Sequence, residues 1–307
     1  MASTLLPFDL SLLPAPTAIE PLDYETLLAN FKTQFQSYWN AAVALDPTLP
    51  AYDVSALETD PAVILGEAWT YLRLLDRQRV NDAVKAVLAP LATGANLDNV
   101  VARVGVQRLV IQAATATTPA IMEMDARLLA RYLMAFDRPA AGSVDKYLYW
   151  AFTSWPTLLD AAVLGFETHG RRGDIDIPVI GPAGALPTSD QLAAVRAAVN
   201  ATGVKAEATS VTVMAANRAL YSVGLILDIP QGPDPLAVVA AATASVTAAA
   251  NARMILGGQV PMDLLSGSAY VGGCLRVTRV APTADIAPDP YTVPVMSGLT
   301  ITPNVLT

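Results

Sequence analysis

The chain has a single histidine, His169, and a single cysteine, Cys274. Serine–histidine–aspartate hydrolysis, cysteine–histidine catalysis and most catalytic zinc sites would all have to use His169. It sits in Glu167-Thr168-His169-Gly170-Arg171-Arg172-Gly173, a polar, glycine-flanked turn whose plain reading is a solvated loop. Cys274 follows Gly272-Gly273 in a strand-like run and reads as a small buried hydrophobe. A lone cysteine permits neither an intrachain disulfide nor a thiolate metal cluster. Asp174 and Asp176 alternate on one face of a strand, as a two-carboxylate cation site would need. No further acidic or histidine cluster accompanies them, and a solvent-facing strand side is the plainer reading. Glu123 and Asp125 lie two apart on a predicted helix and share no face. The Arg171-Arg172 pair could touch a phosphate, but one basic pair in an acidic chain reads as a solvated turn. There is no P-loop, no G-x-G-x-x-G opening a helix, no H-E-x-x-H and no G-x-S-x-G. These residues assign no catalytic group, no cofactor site and no metal ligands. One enzymatic alternative stays open: a small-molecule-binding or catalytic α+β protein with a pocket near His169 or Asp174/Asp176.

The composition narrows the classes further. The 307 residues include 19 Lys+Arg against 27 Asp+Glu, a net charge of -8. This opposes unaided binding to nucleic acid phosphates or to an anionic membrane surface. Charged residues make up only 15%, while hydrophobic residues reach 53% and the mean hydropathy is +0.41. Much of the apolar content is alanine, however. The longest uncharged helical window, Leu236 to Ala252, contains Thr243, Ser245, Thr247 and Asn251 and reads as too short and too weakly apolar to span a bilayer. Pro290 to Thr307 is uncharged but interrupted by prolines, and the start, Met1 to Pro7, lacks a basic segment before its apolar residues. The expectation is a protein made in a reducing cytoplasm, without membrane insertion. Its surface has few solvating groups and suits burial against other subunits.

The elements that carry these residues are predicted as α+β: a helical N-terminal part with a long bundle helix, then two small α+β lobes and an extended C-terminal tail. The first segment, to about Pro21, reads as an extended arm. Asp23 caps a helix with apolar positions Tyr24, Leu28, Phe31, Phe35 and Tyr38. Asp60-Pro61 starts the clearest helix, with aspartate as cap and proline in the first turn. Running to about Leu88, it would span about 45 Å at ~1.5 Å per residue. Its spacing points Ile64, Ala68, Leu72, Leu75, Ala83, Val84, Val87 and Leu88 toward a core, and Gly66, Thr70, Arg73, Arg77, Asn81 and Lys85 away from it. Gln112 to Pro119 marks a boundary. Helical patterns follow at about 121–136 and 143–153, a strand at 174–180 with Pro178 at an edge or strand end, a helix at 189–199 and a strand at 209–214. A second strand–helix–strand run occupies 219–280, and Pro282 to Thr307 reads as the tail. The domains are expected at 1–112, 113–215 and 216–307.

The charged face of the long helix is the densest mixed-charge run in the chain. It reads either as a solvent face with helix-spaced ion pairs of a few tenths of a kcal/mol each or as an interface that selects its partner by charge. The interface residues expected on that helix are Ile64, Glu67, Ala68, Leu72, Arg73, Leu75, Arg79 and Asp82.

The run Leu57-Glu58-Thr59-Asp60-Pro61 through Glu67, Tyr71-Leu72-Arg73 and Arg79-Val80-Asn81-Asp82-Ala83, then Ala92-Thr93-Gly94-Ala95-Asn96-Leu97-Asp98 and Val104-Gly105-Val106, resembles the baseplate J-like family. That family is the wedge component of contractile phage tails and related contractile injection systems. The likeness is weakest over 112–137, and Tyr71-Leu72-Arg73-Leu74 lacks the acidic residue often seen directly after the arginine. The resemblance implies a structural, non-enzymatic protein without cofactors, located in the tail baseplate of the virion. It implies an inner ring around the central hub and spike, with two copies paired in each wedge. It also implies long helices joined with those of another wedge protein in a core bundle, contact with a sheath-connecting wedge protein, and a ring that rearranges when the sheath contracts.

Overall fold

The structure, a computed structural model, describes residues 13, 14, 16–53 and 57–306. It forms two compact units, one ending at Arg103 and the other running from Val104 onward. The first is helical and the second mixes helices with open sheets, so the α+β class with a helical N-terminal part holds. The arm expected up to Pro21 lies largely outside the described residues.

The helical unit contains α1 (Tyr24–Leu45), α2 (Pro61–Val87) and α3 (Gly94–Ala102). Asp23 caps α1, its carboxylate accepting from Thr26 N at 3.2 Å. Asp60 Oδ1 caps α2 by accepting from Ala62 N at 2.9 Å, and it also accepts from Tyr52 Oη at 2.8 Å. Both caps satisfy first-turn amides that have no partner inside the helix. α1 and α2 meet through aromatic rings. Phe31 lies 5.4 Å from Trp69, and Phe35 meets Tyr52 edge-on at 5.0 Å, centroid to centroid.

The face of α2 that packs inside this unit is the reverse of the one its apolar spacing suggests. Val63, Gly66, Thr70 and Asn81 are buried, while Ile64, Leu72 and Leu75 are exposed. The cause is local. A Cβ on Gly66 would stand 2.5 Å from Cδ1 of Phe31, so only glycine lets that ring reach the helix backbone. Asn81 is satisfied by the incoming chain: Glu20 N donates to Asn81 Oδ1 at 3.0 Å, and Asn81 Nδ2 donates to Glu20 O at 2.7 Å. Arg77 adds an ion pair to Glu20 at 2.8 Å. Asn81 and Arg77 thus face inward because the preceding segment supplies their partners, whereas the buried Thr70 hydroxyl has none among the described residues.

The second unit opens with β1 (Val110–Gln112) and β2 (Ile121–Met122), an antiparallel pair whose loop is the expected boundary segment. The helix predicted from Ile121 therefore begins only at Asp125, as α4 (Asp125–Met134), followed by α5 (Val144–Ser154). A first sheet follows, with β3 (Asp160–Ala161), α6 (Phe166–His169), β4 (Asp174–Ile180), α7 (Ser189–Val199) and β5 (Ser210–Ala215). Its order is β3-β4-β5, with β4 and β5 parallel across α7. Pro178 thus occupies the central strand, not an edge. Pairing toward β3 breaks at the proline: Ala162 N donates to Pro178 O at 3.3 Å, the proline has no N–H to return, and the ladder resumes at Leu164↔Asp176.

Only Ala216 separates β5 from β6 (Asn217–Ile229), so one run of chain passes from the first sheet into a second. α8 (Pro235–Ala252), α9 (Met262–Ser268), β7 (Arg276–Ala281) and β8 (Thr292–Val305) complete that lobe, in sheet order β7-β6-β8. The C-terminal stretch is extended as expected, and β8 pairs in parallel with β6 from Asn217↔Thr292 to Ile229↔Val305. By length and composition α8 is apolar enough to cross a membrane, against the reading of that window as too short. In the fold its Val238, Ala242, Val246 and Ala250 stripe joins Leu225, Leu227 and Ile229 in the core.

Candidate functional site

With one side of α2 turned to α1, the opposite side is left outward. At 100° per residue, Ile64, Ala68, Leu72 and Leu75 form a stripe centred about half a turn from Val63, Gly66, Thr70 and Asn81. Leu72 is 61% exposed, Ile64 52% and Leu75 42%, and Leu65 and Trp69 widen the strip. Single exposed leucines need no explanation, but a contiguous apolar stripe on one helix marks a contact surface. Covering one such side chain fully is worth about 1.5–3 kcal/mol. Of the expected charged positions, Arg79 and Asp82 are exposed and continue the line of the stripe beyond Leu75, Glu67 is half-buried, and Arg73, though exposed, lies on the other side of the helix with Glu20 and Asn81. Beside this strip, Leu27, Asn30, Phe31, Gln34, Phe35, Tyr38 and Trp69 line a groove of about 390 Å³.

The residues considered for chemistry are engaged with one another. Arg171 Nη2 donates to Asp176 Oδ2 at 2.5 Å and Arg171 Nε to Asp174 Oδ2 at 3.1 Å. Tyr291 Oη donates to the same Asp176 oxygen at 2.8 Å. The two carboxylates do share a face, and a guanidinium bridges them. Asp176 is buried, not solvent-facing. Burial pushes its carboxyl upward, but the Arg171 and Tyr291 hydrogen bonds outweigh this and hold it below the usual range. His169 ends α6 half-buried, its Nδ1 accepting from Arg171 N at 3.1 Å and its Nε2 lying 3.2 Å from Leu164 O. It is a fastened helix terminus, not a solvated loop. Cys274 is buried as expected, with Sγ donating to Arg276 O at 3.2 Å. Among the described residues no three His, Cys, Asp or Glu are grouped to hold a metal ion.

Two buried polar clusters escaped the sequence reading. Glu123 precedes α4 and is buried. Its Oε2 accepts from Arg131 Nη1 at 2.5 Å and from Leu109 N at 3.1 Å. Arg108 donates to Glu123 O at 2.5 Å and pairs with Asp125 at 2.7 Å. The eight-residue step from Glu123 to Arg131 was the available signal, and it is a weak one. Asp160 lies between the two sheets, its carboxylate accepting from Ala161 N at 2.9 Å and from Leu256 N at 2.7 Å. Burial raises its pKa to about 6 although both amide bonds pull the other way. No sequence signal marks this contact, because Leu256 is far along the chain.

The prominent feature is thus a surface: an exposed apolar helix face that ends in the charged pair Arg79 and Asp82, the kind of site that takes another polypeptide. Comparison with known proteins agrees with that class. Residues 58–115, which hold α2 and α3, match the family model described as Baseplate J-like N-terminal domain. Over 296 residues the chain is 33% identical to baseplate protein J of Escherichia phage P2, spanning 91% of each protein. The chain belongs to the baseplate J-like family.

Proposed function

We propose that the chain is a structural, non-enzymatic subunit of a contractile phage tail baseplate, and that it joins its neighbours through the outward face of α2. The observation that carries this reading is the stripe of Ile64, Ala68, Leu72 and Leu75, uncovered by any described residue, with Arg79 and Asp82 continuing its line. Helices from a second copy and from another wedge protein cover that stripe in an intersubunit bundle. Charge at its end sets which partner fits, and the apolar centre supplies most of the affinity. In this reading residues 1–112 form the bundle domain. Residues 113–215 and 216–307 form lobes that reach adjacent wedges and the sheath-connecting protein, and the ring around the hub rearranges on contraction. Nucleic acid and membrane play no part, and the protein resides in the virion after synthesis in the host cytoplasm. The enzymatic alternative draws no support from His169, Asp174 and Asp176, whose polar atoms hold Arg171, Tyr291 and the backbone.

Leu72→Asp and Leu75→Asp test the proposal. Both positions are exposed in the isolated chain, so stability should change by no more than about 0.5 kcal/mol. Contractile particles should drop at least tenfold. Normal particle numbers from either variant would contradict the reading.

A further inference from the structure

A cavity of about 400 Å³ opens in the second unit where three stretches of chain meet. α5 contributes Lys146 and Trp150. The turn that follows α4 contributes Ala135, Arg138 and Pro139, and the loop after α7 contributes Thr202, Gly203 and Val204. Thr202 and Gly203 are exposed, and no atom lies within 4 Å of where a Cβ on Gly203 would stand. The cavity is therefore open on the side of that loop.

Its lining carries two positive charges and no carboxylate. Lys146 is only 7% exposed, and its Nζ donates to Gly203 O at 2.7 Å. Arg138 donates to Ala135 O at 3.2 Å, to Tyr149 Oη at 3.5 Å and to Val104 O, with its guanidinium 5.0 Å from the Tyr149 ring centre. All of these partners are neutral. An ammonium has three N–H groups and a guanidinium five, so both side chains keep donors to spare. Elsewhere in the unit Arg108, Arg127, Arg131, Arg171 and Arg279 each pair with a carboxylate. Lys146 and Arg138 have no such pair among the described residues. A cation drawn out of water without a counter-charge is costly, and an anion entering beside it offsets that cost.

The rest of the lining is apolar, from Ala135, Pro139, Trp150 and Val204. A bare inorganic anion would use the two cations and leave that apolar surface uncovered. A carboxylate on a short apolar stem would use both. We propose that this cavity binds the carboxylate of an acidic side chain from a neighbouring polypeptide, the charge beside Lys146 and Arg138 and the stem against Trp150 and Pro139. In a chain of net charge -8 a site of this sign is a local exception, and its field draws negative groups toward it. Charge-assisted hydrogen bonds from an ammonium and a planar guanidinium are directional, so they fix the register of the contact. The second unit thereby gains a polar contact of its own, different in kind from the apolar face of α2. That the ligand belongs to a neighbouring subunit rests on the baseplate reading; the carboxylate chemistry does not.

Titration of the full chain with butyrate, butyramide and inorganic phosphate tests the site, read by the indole N–H resonance of Trp150, which Trp150→Phe assigns. Butyrate should shift that resonance saturably, and butyramide, with the same stem and no charge, should not. Thr202→Glu tests the place. Thr202 precedes the residue whose carbonyl holds Lys146, so the new carboxylate can fill the cavity from within the chain. It should weaken butyrate binding at least tenfold, and Thr202→Gln should leave it within about twofold. Equal shifts from butyrate and butyramide, no shift from either, or butyrate binding unaffected by Thr202→Glu would overturn the proposal. Phosphate bound more tightly than butyrate would overturn the polypeptide ligand in favour of a free anion. In assembled tails Thr202→Glu should lower particle yield at least tenfold and Thr202→Gln should not; normal yield from Thr202→Glu would overturn the contact with a neighbour. Absence of the unsubstituted chain from tails would instead overturn the baseplate reading and leave the butyrate result standing.

Discussion

Asp160 places a carboxyl at the seam between the two sheets with no ion-pair partner among the described residues, held by two backbone amides near the apolar Leu256 and Val293. Burial raises its pKa to about 6, against about 3.9 in an unfolded chain. Between about pH 4 and 6 the folded protein therefore keeps a proton that the unfolded chain has released. The stability this gives is whole below about pH 4 and lost as pH rises through about 6, a change of about 3 kcal/mol at most. Carboxyl-carbon NMR should find Asp160 titrating near 6, whereas a midpoint near 4 would contradict the burial described. This residue could not have been singled out from sequence, nor could the contact of Asp176 with Tyr291, since both join positions about a hundred residues apart. The burial of Cys274 was legible from its small apolar side chain, although it lies just before β7 and not within a strand. His169 was misread as solvated because its fastening depends on the backbone turn that follows it.

At the scale of elements, the helices were legible wherever a cap and an apolar period coincide, as at Asp60-Pro61 and at Asp234-Pro235. Period identifies an apolar face but not what covers it, and α2 illustrates the difference. The stripe of Ile64, Leu72 and Leu75 is present, yet the face used inside the unit is the one with Gly66 and Asn81. Gly66→Ala tests that packing directly. Its new methyl meets the Phe31 ring at 2.5 Å, and the forced shift should cost about 1–3 kcal/mol. Denaturant midpoints followed by the fluorescence of Trp39 and Trp69 would report it, and an unchanged midpoint would mean that α1 does not pack on Gly66. Pro178 and β8 carry a related lesson. A proline suggested an edge or strand end where the ladder of a central strand is only locally interrupted, and the stretch expected as an extended tail is extended but pairs as a long strand.

For the whole molecule, the low charge and high alanine content first resemble a membrane ambiguity. The fold accounts for part of it: α8 is uncharged because one stripe lies on the sheet, yet most of its surface is still outward. A charge-poor surface costs little to desolvate, which suits a part covered by neighbours in a larger assembly. The claim at the centre of this account is that the outward face of α2 is an assembly surface. Imaging of the intact tail at side-chain resolution tests it most directly. Ile64, Ala68, Leu72 and Leu75 should be covered by a helix from another chain, with Arg79 and Asp82 at the C-terminal end of the contact. An assembled baseplate in which those four side chains face only solvent would contradict it.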